Sequence, residues 1–277
     1  MHRLRSTDGV EVAAYDLGGA GPPLLLAHAT GFHAHVWEPL AARLAGRFRC
    51  IALDFRGHGR SGPPPDPPHW QGFAADVLAV VDGLGLDRPF GGGHSKGGAA
   101  LLLAEQARPG TFSALYCYEP IVFPFDPPLG PQPDNPLSVG ARRRRAVFAS
   151  REEARQAYAA KPPLDALHPD VLDAYVEHGL ADEDDGTVRL RCPPEVEAAV
   201  YAMGTAHDAF SRLGEVACPV VVAAGGHSDA VTPALAGRLA AALPRGRAEV
   251  FPDLGHFGPL EDPDAVATSI LQAFPPD

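Results

Sequence analysis

Gly93-His94-Ser95-Lys96-Gly97, followed by Gly98, is the most informative stretch of this sequence. It fits the pattern Gly-x-Ser-x-Gly, in which a serine occupies a tight turn between a strand and a helix. The turn is strained and needs residues without a Cβ two positions on either side of the serine. A short apolar run precedes the pattern, and an Ala/Leu-rich run over 97–107 follows it. Although the pattern also occurs as a plain glycine turn, this context predicts that Ser95 is a nucleophile above a sheet.

Apolar runs alternate with amphipathic stretches on both sides of this turn, which indicates βαβ units and a mainly parallel sheet. The predicted strands are 10–17, 24–27, 48–54, 89–93, 112–118, 219–226 and 248–253. The predicted helices are 37–44, 73–84, 97–107, 233–243 and 263–274. The run 24–27 is apolar throughout, as is typical of a strand that is buried on both faces.

A different pattern interrupts this alternation in the middle of the chain. Residues 124–136 contain six prolines in thirteen positions, so they continue neither a helix nor a central strand. Residues 137–212 then give only helical patterns, apart from an acidic turn at 182–186. We therefore predict an α/β core formed by 1–125 and 216–277, interrupted by a helical cap at 126–215.

Composition narrows the possible partners and the location of the protein. The 277 residues are 45% apolar, and 23 basic against 34 acidic side chains give a net charge of −11. This acidic balance argues against nucleic acid and anionic membranes as partners. No apolar run approaches the length of a membrane span, and no signal peptide is visible, so we expect a cytoplasmic protein. The four widely spaced cysteines form no CxxC pair, which argues against a zinc site.

A serine nucleophile needs a general base, and the base needs an acid that orients it. His256 lies in Asp253-Leu254-Gly255-His256-Phe257, between the last predicted strand and the last helix. Loops at this position reach over the carboxyl ends of the strands, where ligands bind in open α/β sheets. We favour His256 as the base over His227, which follows its strand by one residue.

The chain resembles the α/β-hydrolase-fold serine hydrolases that carry a helical cap. The resemblance rests on five stretches across both halves of the predicted core: LLLAHATGF (24–32), LDFRGHGRSG (53–62), GGGHSKGG (91–98), VVVAAGGHSDAVTP (220–233) and DLGHFGPLEDP (253–263). It implies an α/β-hydrolase fold with a catalytic triad of serine, acid and histidine in that chain order. It also implies that neither a metal nor an organic cofactor is needed.

Two residues are candidates for the triad acid. Asp229 lies just after the penultimate strand, which is the usual position in the family, and Glu119 ends the strand after the nucleophile helix, where some members place the acid. We favour Asp229 and keep Glu119 as the alternative. Either could accept the His256 Nδ1–H and stabilise the imidazolium that forms when Ser95 loses its proton.

The resemblance also implies where the oxyanion and the substrate bind. The oxyanion hole is expected to use the backbone N–H groups of Lys96 and Thr30. The Lys96 ammonium either reaches the pocket, where it could bind a substrate carboxylate or carbonyl, or turns toward a nearby acid. Aromatic and histidine side chains that could line the pocket are Phe32, His33, Trp37, Phe123 and Phe125.

The expected reaction is hydrolysis of a small-molecule ester or lactone through a Ser95 acyl-enzyme. The same triad also serves carbon–carbon bond hydrolysis of a diketone, which we keep as an alternative. A further alternative is a small-ligand receptor that retains the pocket and turns over slowly or not at all. A serine at the nucleophile position argues against the dehalogenase and epoxide hydrolase branches, which use aspartate there.

Overall fold

The computed structural model describes residues 1–65 and 67–275. Its strands are β1 His2–Arg5, β2 Glu11–Gly18, β3 Pro23–Ala27, β4 Arg49–Asp54, β5 Phe90–His94, β6 Leu115–Tyr118, β7 Val147–Phe148, β8 Leu180–Asp182, β9 Val188–Leu190, β10 Val220–Gly225 and β11 Gly246–Phe251. Its α-helices are α1 Glu38–Leu44, α2 Trp70–Gly83, α3 Lys96–Ala107, α4 Pro136–Arg142, α5 Arg151–Ala159, α6 Pro169–Gly179, α7 Pro194–Ala202, α8 Pro233–Ala242, α9 Gly258–Glu261 and α10 Pro263–Ala273.

The central sheet has the strand order β1-β2-β4-β3-β5-β6-β10-β11. All pairs from β4 to β11 are parallel, whereas β2 runs antiparallel to β4 and β1 antiparallel to β2. The predicted α/β-hydrolase fold with a mainly parallel sheet is therefore confirmed. The edge strand β1 was not predicted from the sequence, because only one of its four residues, Leu4, is apolar and none of them is fully buried.

Helices cover both faces of this sheet. Helices α2, α3 and α8 pack on one face through side chains such as Phe73, Leu101 and Leu239. Helices α1 and α10 pack on the other face, through Leu40 and Ile270 among others. This burial explains why the central strands read as continuous apolar runs.

The segment between β6 and β10 contains helices α4 to α7 and also a small sheet. The strand order in that sheet is β7-β9-β8, and both pairs are antiparallel. The prediction of only helical patterns over 137–212 was therefore wrong for three short strands. Each has only two or three residues, too few for an alternating pattern to stand out. The predicted acidic turn at 182–186 joins β8 to β9.

The boundaries of the cap at 126–215 stay a prediction. Across the described residues, no helix combines the length and the apolar character that crossing a membrane requires.

Candidate active site

Ser95 occupies a strained turn between β5 and α3. Its backbone angles are φ 54° and ψ −117°, a conformation that L-residues rarely adopt. The neighbouring glycines make the turn possible. A Cβ at Gly97 would lie 2.0 Å from the carbonyl oxygen of Ala27, and a Cβ at Gly93 would lie 2.7 Å from the Cα of Gly98. Both positions therefore exclude side chains, as the Gly-x-Ser-x-Gly pattern requires.

His256 lies directly against Ser95. Its Nε2 is 3.2 Å from Ser95 Oγ, within reach for proton transfer once a substrate binds. The backbone carbonyl of His256 accepts a hydrogen bond of 2.7 Å from Nε2 of His94, the residue that precedes the nucleophile. Burial holds the pKa of His94 well below its usual value, so this imidazole stays neutral and its proton resides on Nε2. His94 thus links the loop that carries His256 to the turn that carries Ser95.

The loop that carries His256 is held by two further side chains. The hydroxyl of Tyr118 donates to the carbonyl of Gly255 at 2.9 Å. The carboxylate of Glu261 accepts the backbone N–H groups of Gly255 and Phe257 at 2.8 and 3.0 Å. Neither positioning residue was predicted from the sequence, although Glu261 lies inside one of the family-like stretches.

Glu119 is the acid that contacts His256. Its Oε2 is 2.5 Å from His256 Nδ1 and accepts a hydrogen bond of 2.6 Å from Ser228 Oγ, while Oε1 accepts the backbone N–H of Gly225 at 2.9 Å. The side chain is fully buried, and its residue has a positive φ of 46° immediately after β6. A carboxylate on Nδ1 keeps the proton there, which leaves Nε2 free to accept the Ser95 proton.

The preference for Asp229 as the partner of His256 was therefore wrong. Asp229 is exposed, and among the described residues it makes no hydrogen bond to His256. The loop after β10 instead points Ser228 toward Glu119, which reaches the histidine from the neighbouring strand end. The alternative base His227 is also exposed and lies outside this arrangement.

One expected oxyanion donor, Lys96, directly follows Ser95, and the other, Thr30, lies in the loop after β3. Lys96 is the first residue of α3, so its backbone N–H has no acceptor within the helix and lies at the positive end of the helix dipole. Thr30 is a buried residue of the loop after β3. The start of α3 abuts that loop, because a Cβ at Gly97 would also lie 2.9 Å from the carbonyl oxygen of His28. Their role as an oxyanion hole stays a prediction.

The Lys96 side chain points away from the predicted substrate pocket and into the protein. It is 1% exposed, and its Nζ lies 3.3 Å from His58 Nε2 and 4.4 and 5.0 Å from the ring centroids of Phe55 and Phe73. In the described part of the chain no carboxylate forms an ion pair with it. Burial lowers the pKa of the ammonium to about 7. Neither expected orientation of this side chain, toward the pocket or toward an acid, is present.

The burial of Lys96 without an acidic partner among the described residues leads to a stability prediction. Lys96→Met is expected to raise the free energy of unfolding at pH 6 by about 2–4 kcal/mol, because the folded protein no longer has to bury a charge. The pKa of Lys96 is lower in the folded protein than in the unfolded chain. Its buried charge therefore lowers the free energy of unfolding most below pH 7, and this penalty shrinks as the pH rises and the folded-state ammonium loses its proton. The advantage of the variant should shrink by about 2 kcal/mol between pH 6 and 8.5.

Urea unfolding at both pH values measures this effect, and the chain offers a matched control. Its only other lysine, Lys161, is exposed. Lys161→Met should therefore leave the unfolding free energy within about 0.5 kcal/mol of the native value at both pH values. A destabilised Lys96→Met protein at pH 6 would show that the buried ammonium is better compensated than its contacts indicate.

A cavity of about 480 Å³ opens between the loop after β3 and the segment that follows β6. Thr30, Gly31 and Phe257, the residue after His256, form one end of it, and the opposite wall comes from α4 to α7 and the residues that connect them. Ser95 and His256 are not among the described residues that line it. The side chains with polar groups in that wall are Arg144, Arg145, Tyr158, Lys161, Tyr175, Glu197 and Tyr201.

The structure separates the five predicted pocket residues. Among the described residues that line the cavity, Phe32 is the one member of this set. His33 is buried, with Nε2 3.1 Å from the carbonyl of Tyr175, and Trp37 packs in the core at the start of α1. Phe123 and Phe125 lie against each other, and Phe125 is 37% exposed. Their positions in two loops near the predicted site suggested a shared pocket, but His33 and Trp37 are buried in the protein and Phe125 is exposed.

Comparisons with known proteins agree with this geometry. Residues 24–269 match the model of the alpha/beta hydrolase family. A putative carbamate hydrolase RutD from Caulobacter sp. (strain K31) is 26% identical over 90% of this chain and 88% of its own length. A 2-(acetamidomethylene)succinate hydrolase from Mesorhizobium japonicum is 24% identical over 86% of this chain and 83% of its own length. The chain therefore belongs to the alpha/beta hydrolase family.

A solved structure with the same fold adds a third comparison. A thermophilic esterase from Thermogutta terrifontis, with malate bound, superposes with a TM-score of 0.72. It is 25% identical, and the superposition covers 98% of this chain and 96% of the esterase.

Proposed function

We propose that this protein hydrolyses a small-molecule ester or lactone through an acyl-enzyme on Ser95. The observation that carries the proposal is the continuous contact from Ser95 through His256 to the buried carboxylate of Glu119. His256 Nε2 takes the Ser95 proton as Oγ attacks the carbonyl carbon, and the N–H groups of Lys96 and Thr30 bind the developing oxyanion. His256 then protonates the leaving alkoxide, whose bond to the carbonyl carbon breaks.

Deacylation uses the same residues in reverse. His256 takes a proton from water, the resulting hydroxide attacks the acyl carbon, and Ser95 regains its proton as the ester bond breaks. Catalysis by these residues requires no metal or organic cofactor. The names of the carbamate hydrolase, the acetamidomethylene succinate hydrolase and the esterase fit one acyl-transfer chemistry with different leaving groups.

A substrate panel tests the reaction type. We expect turnover of p-nitrophenyl esters or simple lactones, and none of it with Ser95→Ala. Turnover of a vinylogous diketone but of no ester would instead support the carbon–carbon hydrolase. Binding of ligands without turnover of esters, lactones, amides or diketones would support the receptor and overturn the proposal.

The charge of the cavity points to substrates that carry a carboxylate. Although the chain has a net charge of −11, the charged residues that line the cavity are three cations and one acid. Arg144 is held toward the cavity by Glu197 at 2.5 Å and by the hydroxyl of Tyr175 at 2.7 Å. Lys161 lies at the rim and forms no ion pair within the described chain. Two of the comparison proteins fit such a substrate: one is a 2-(acetamidomethylene)succinate hydrolase, and the other is an esterase with malate bound.

We therefore expect Arg144 to contribute to binding of acidic esters. The double variant Arg144→Gln/Glu197→Gln removes the guanidinium without leaving the Glu197 charge unpaired in a buried place. For p-nitrophenyl hemisuccinate its KM should rise about 10–100-fold, which corresponds to the loss of one charge-assisted contact. For the uncharged p-nitrophenyl butyrate, KM should change less than threefold.

Steady-state kinetics of both esters measure this preference. Equal changes for the two esters would show that Arg144 shapes the cavity without recognising charge. Because the uncharged ester reports the triad separately, this result leaves the acyl-enzyme proposal intact.

A further inference from the structure

A cluster of two histidines and a glutamate lies outside the triad, where the segment after β6 meets the core. His35 and Glu38 belong to the turn and helix start that follow the predicted oxyanion loop, and His178 lies in the last turn of α6. His35 Nδ1 is 2.6 Å from Glu38 Oε1, and the rings of His35 and His178 lie 3.8 Å apart. One ligand atom from each residue lies within 4.8 Å of the other two.

We propose that His35, Glu38 and His178 form a binding site for a divalent transition-metal ion of the Zn²⁺ type. Two imidazole nitrogens and a carboxylate oxygen are a ligand set that Zn²⁺ binds, with a fourth position left for water. Ca²⁺ and Mg²⁺ prefer oxygen ligands alone, so imidazole selects against them. The Glu38 carboxylate, which contacts His35 Nδ1, becomes the third ligand.

The surroundings of the cluster favour a cation. A surface cleft of about 550 Å³ leads to Glu38 and His178, and its charged lining comprises five acids and two arginines. These are Glu38, Glu152, Asp170, Asp173 and Glu177 against Arg151 and Arg155. The cleft therefore attracts cations from solvent and delivers them to half-exposed ligands.

The ligands must rearrange to converge on one ion. The His35 and His178 rings are stacked at 17°, so their nitrogen lone pairs lie in nearly parallel planes that do not meet at one point. His178 and Glu38 are both partly exposed, so their side chains have room on the solvent side to turn toward a common ion, while Glu38 already contacts His35. His33 packs 6.1 and 6.4 Å from these two rings, and its Nδ1 has no hydrogen-bond partner among the described residues.

A bound ion would link the two parts of the chain that enclose the cavity. His35 and Glu38 follow the loop that contains Thr30, whereas His178 follows Tyr175 by three residues on α6, and Tyr175 lines the cavity. Since none of the three ligands touches Ser95 or His256, the ion acts as a clamp between these elements and takes no part in the chemical step. Metal binding should accordingly raise the thermal stability of the protein.

Titration of the metal-free, full-length protein with Zn²⁺ tests the site. We expect one ion per chain, a rise in melting temperature, and, with Co²⁺ in place of Zn²⁺, the intense visible absorption of a four-coordinate site. His178→Ala and Glu38→Gln should each weaken Zn²⁺ affinity at least about tenfold, since even residues that only support ligands cost 10–100-fold. The control His2→Ala, an exposed histidine on β1, should bind like the native protein.

Two outcomes would overturn the proposal. One is the absence of stoichiometric Zn²⁺ binding to the folded native protein. The other is Zn²⁺ binding whose affinity is the same in native protein, His178→Ala and Glu38→Gln, which would place the ion elsewhere. Because ester turnover is not used as the readout, neither outcome depends on the reaction at Ser95.

Discussion

Ser95→Ala is expected to lower kcat for ester hydrolysis about 10⁵–10⁶-fold, the largest effect of any single substitution in the chain. The methyl group cannot attack a carbonyl, and the remaining activity reflects only substrate binding and the oxyanion donors. KM should change much less, because the cavity wall and the Lys96 N–H stay in place.

Stopped and continuous assays with the best p-nitrophenyl ester measure this loss. Ser211→Ala is a suitable control, because Ser211 is exposed and its hydroxyl contacts only the backbone of Asp208 among the described residues. It should retain native kcat within a factor of two. If Ser95→Ala kept more than about 1% of native kcat, another nucleophile would have to be found.

The second large effect is expected from substitutions that distinguish Glu119 from Asp229 as the acid of the triad. Glu119→Gln should lower kcat about 10³–10⁴-fold, because an amide holds the wrong imidazole tautomer and cannot stabilise the imidazolium. Asp229→Asn should change kcat less than threefold, since Asp229 is exposed and His256 already has its carboxylate.

Glu119 also accepts hydrogen bonds from Gly225 and Ser228, so its substitution could lower kcat by destabilising the fold. The melting temperatures of both variants show whether the loss of activity comes from unfolding. Glutamine keeps one acceptor oxygen for the Gly225 N–H. The reverse order, with Asp229→Asn more damaging than Glu119→Gln, is the result that the observed geometry forbids.

Most of the fold could be predicted from local patterns. The strands β2 to β6 and β10 are mostly buried, whereas β11 is exposed or half-buried. The helices between the strands have amphipathic or Ala/Leu-rich sequences, so the alternation is visible in the sequence itself. The short strands β7, β8 and β9 were missed because they are held by pairing with one another, which no local period records.

The candidate site likewise has a part that could be predicted from the sequence and a part that could not. Ser95 and His256 lie in short motifs whose geometry is local, and the structure brings them together as predicted from the sequence. The acid depends on which of two neighbouring strand ends reaches His256, and that is decided by the positive φ at Glu119 and by Ser228 filling the place beside it. Neither the backbone conformation of Glu119 nor its hydrogen bond with Ser228 can be predicted from the residue types in the two loops. His94 could have been noticed, because it occupies the x position of Gly-x-Ser-x-Gly.

Most residues that line the cavity could not be predicted from their positions in the sequence. Phe32 lines it, but most of its wall comes from residues 136–201, whose arrangement depends on packing between helices far apart in sequence. Arg144 is an instance. Three of the four arginines at 142–145 are exposed, yet Arg144 turns inward to Glu197.

The most direct test of the central claim is to trap the acyl group. The native protein and Ser95→Ala are mixed with excess p-nitrophenyl acetate, quenched in acid within milliseconds, and analysed by intact mass and peptide mapping. The account predicts one acetyl group per native chain, located on the peptide that contains Ser95, and none on the variant. An acetyl group on another residue, or native turnover at full rate in a Ser95→Ala protein that is never acylated, would contradict it.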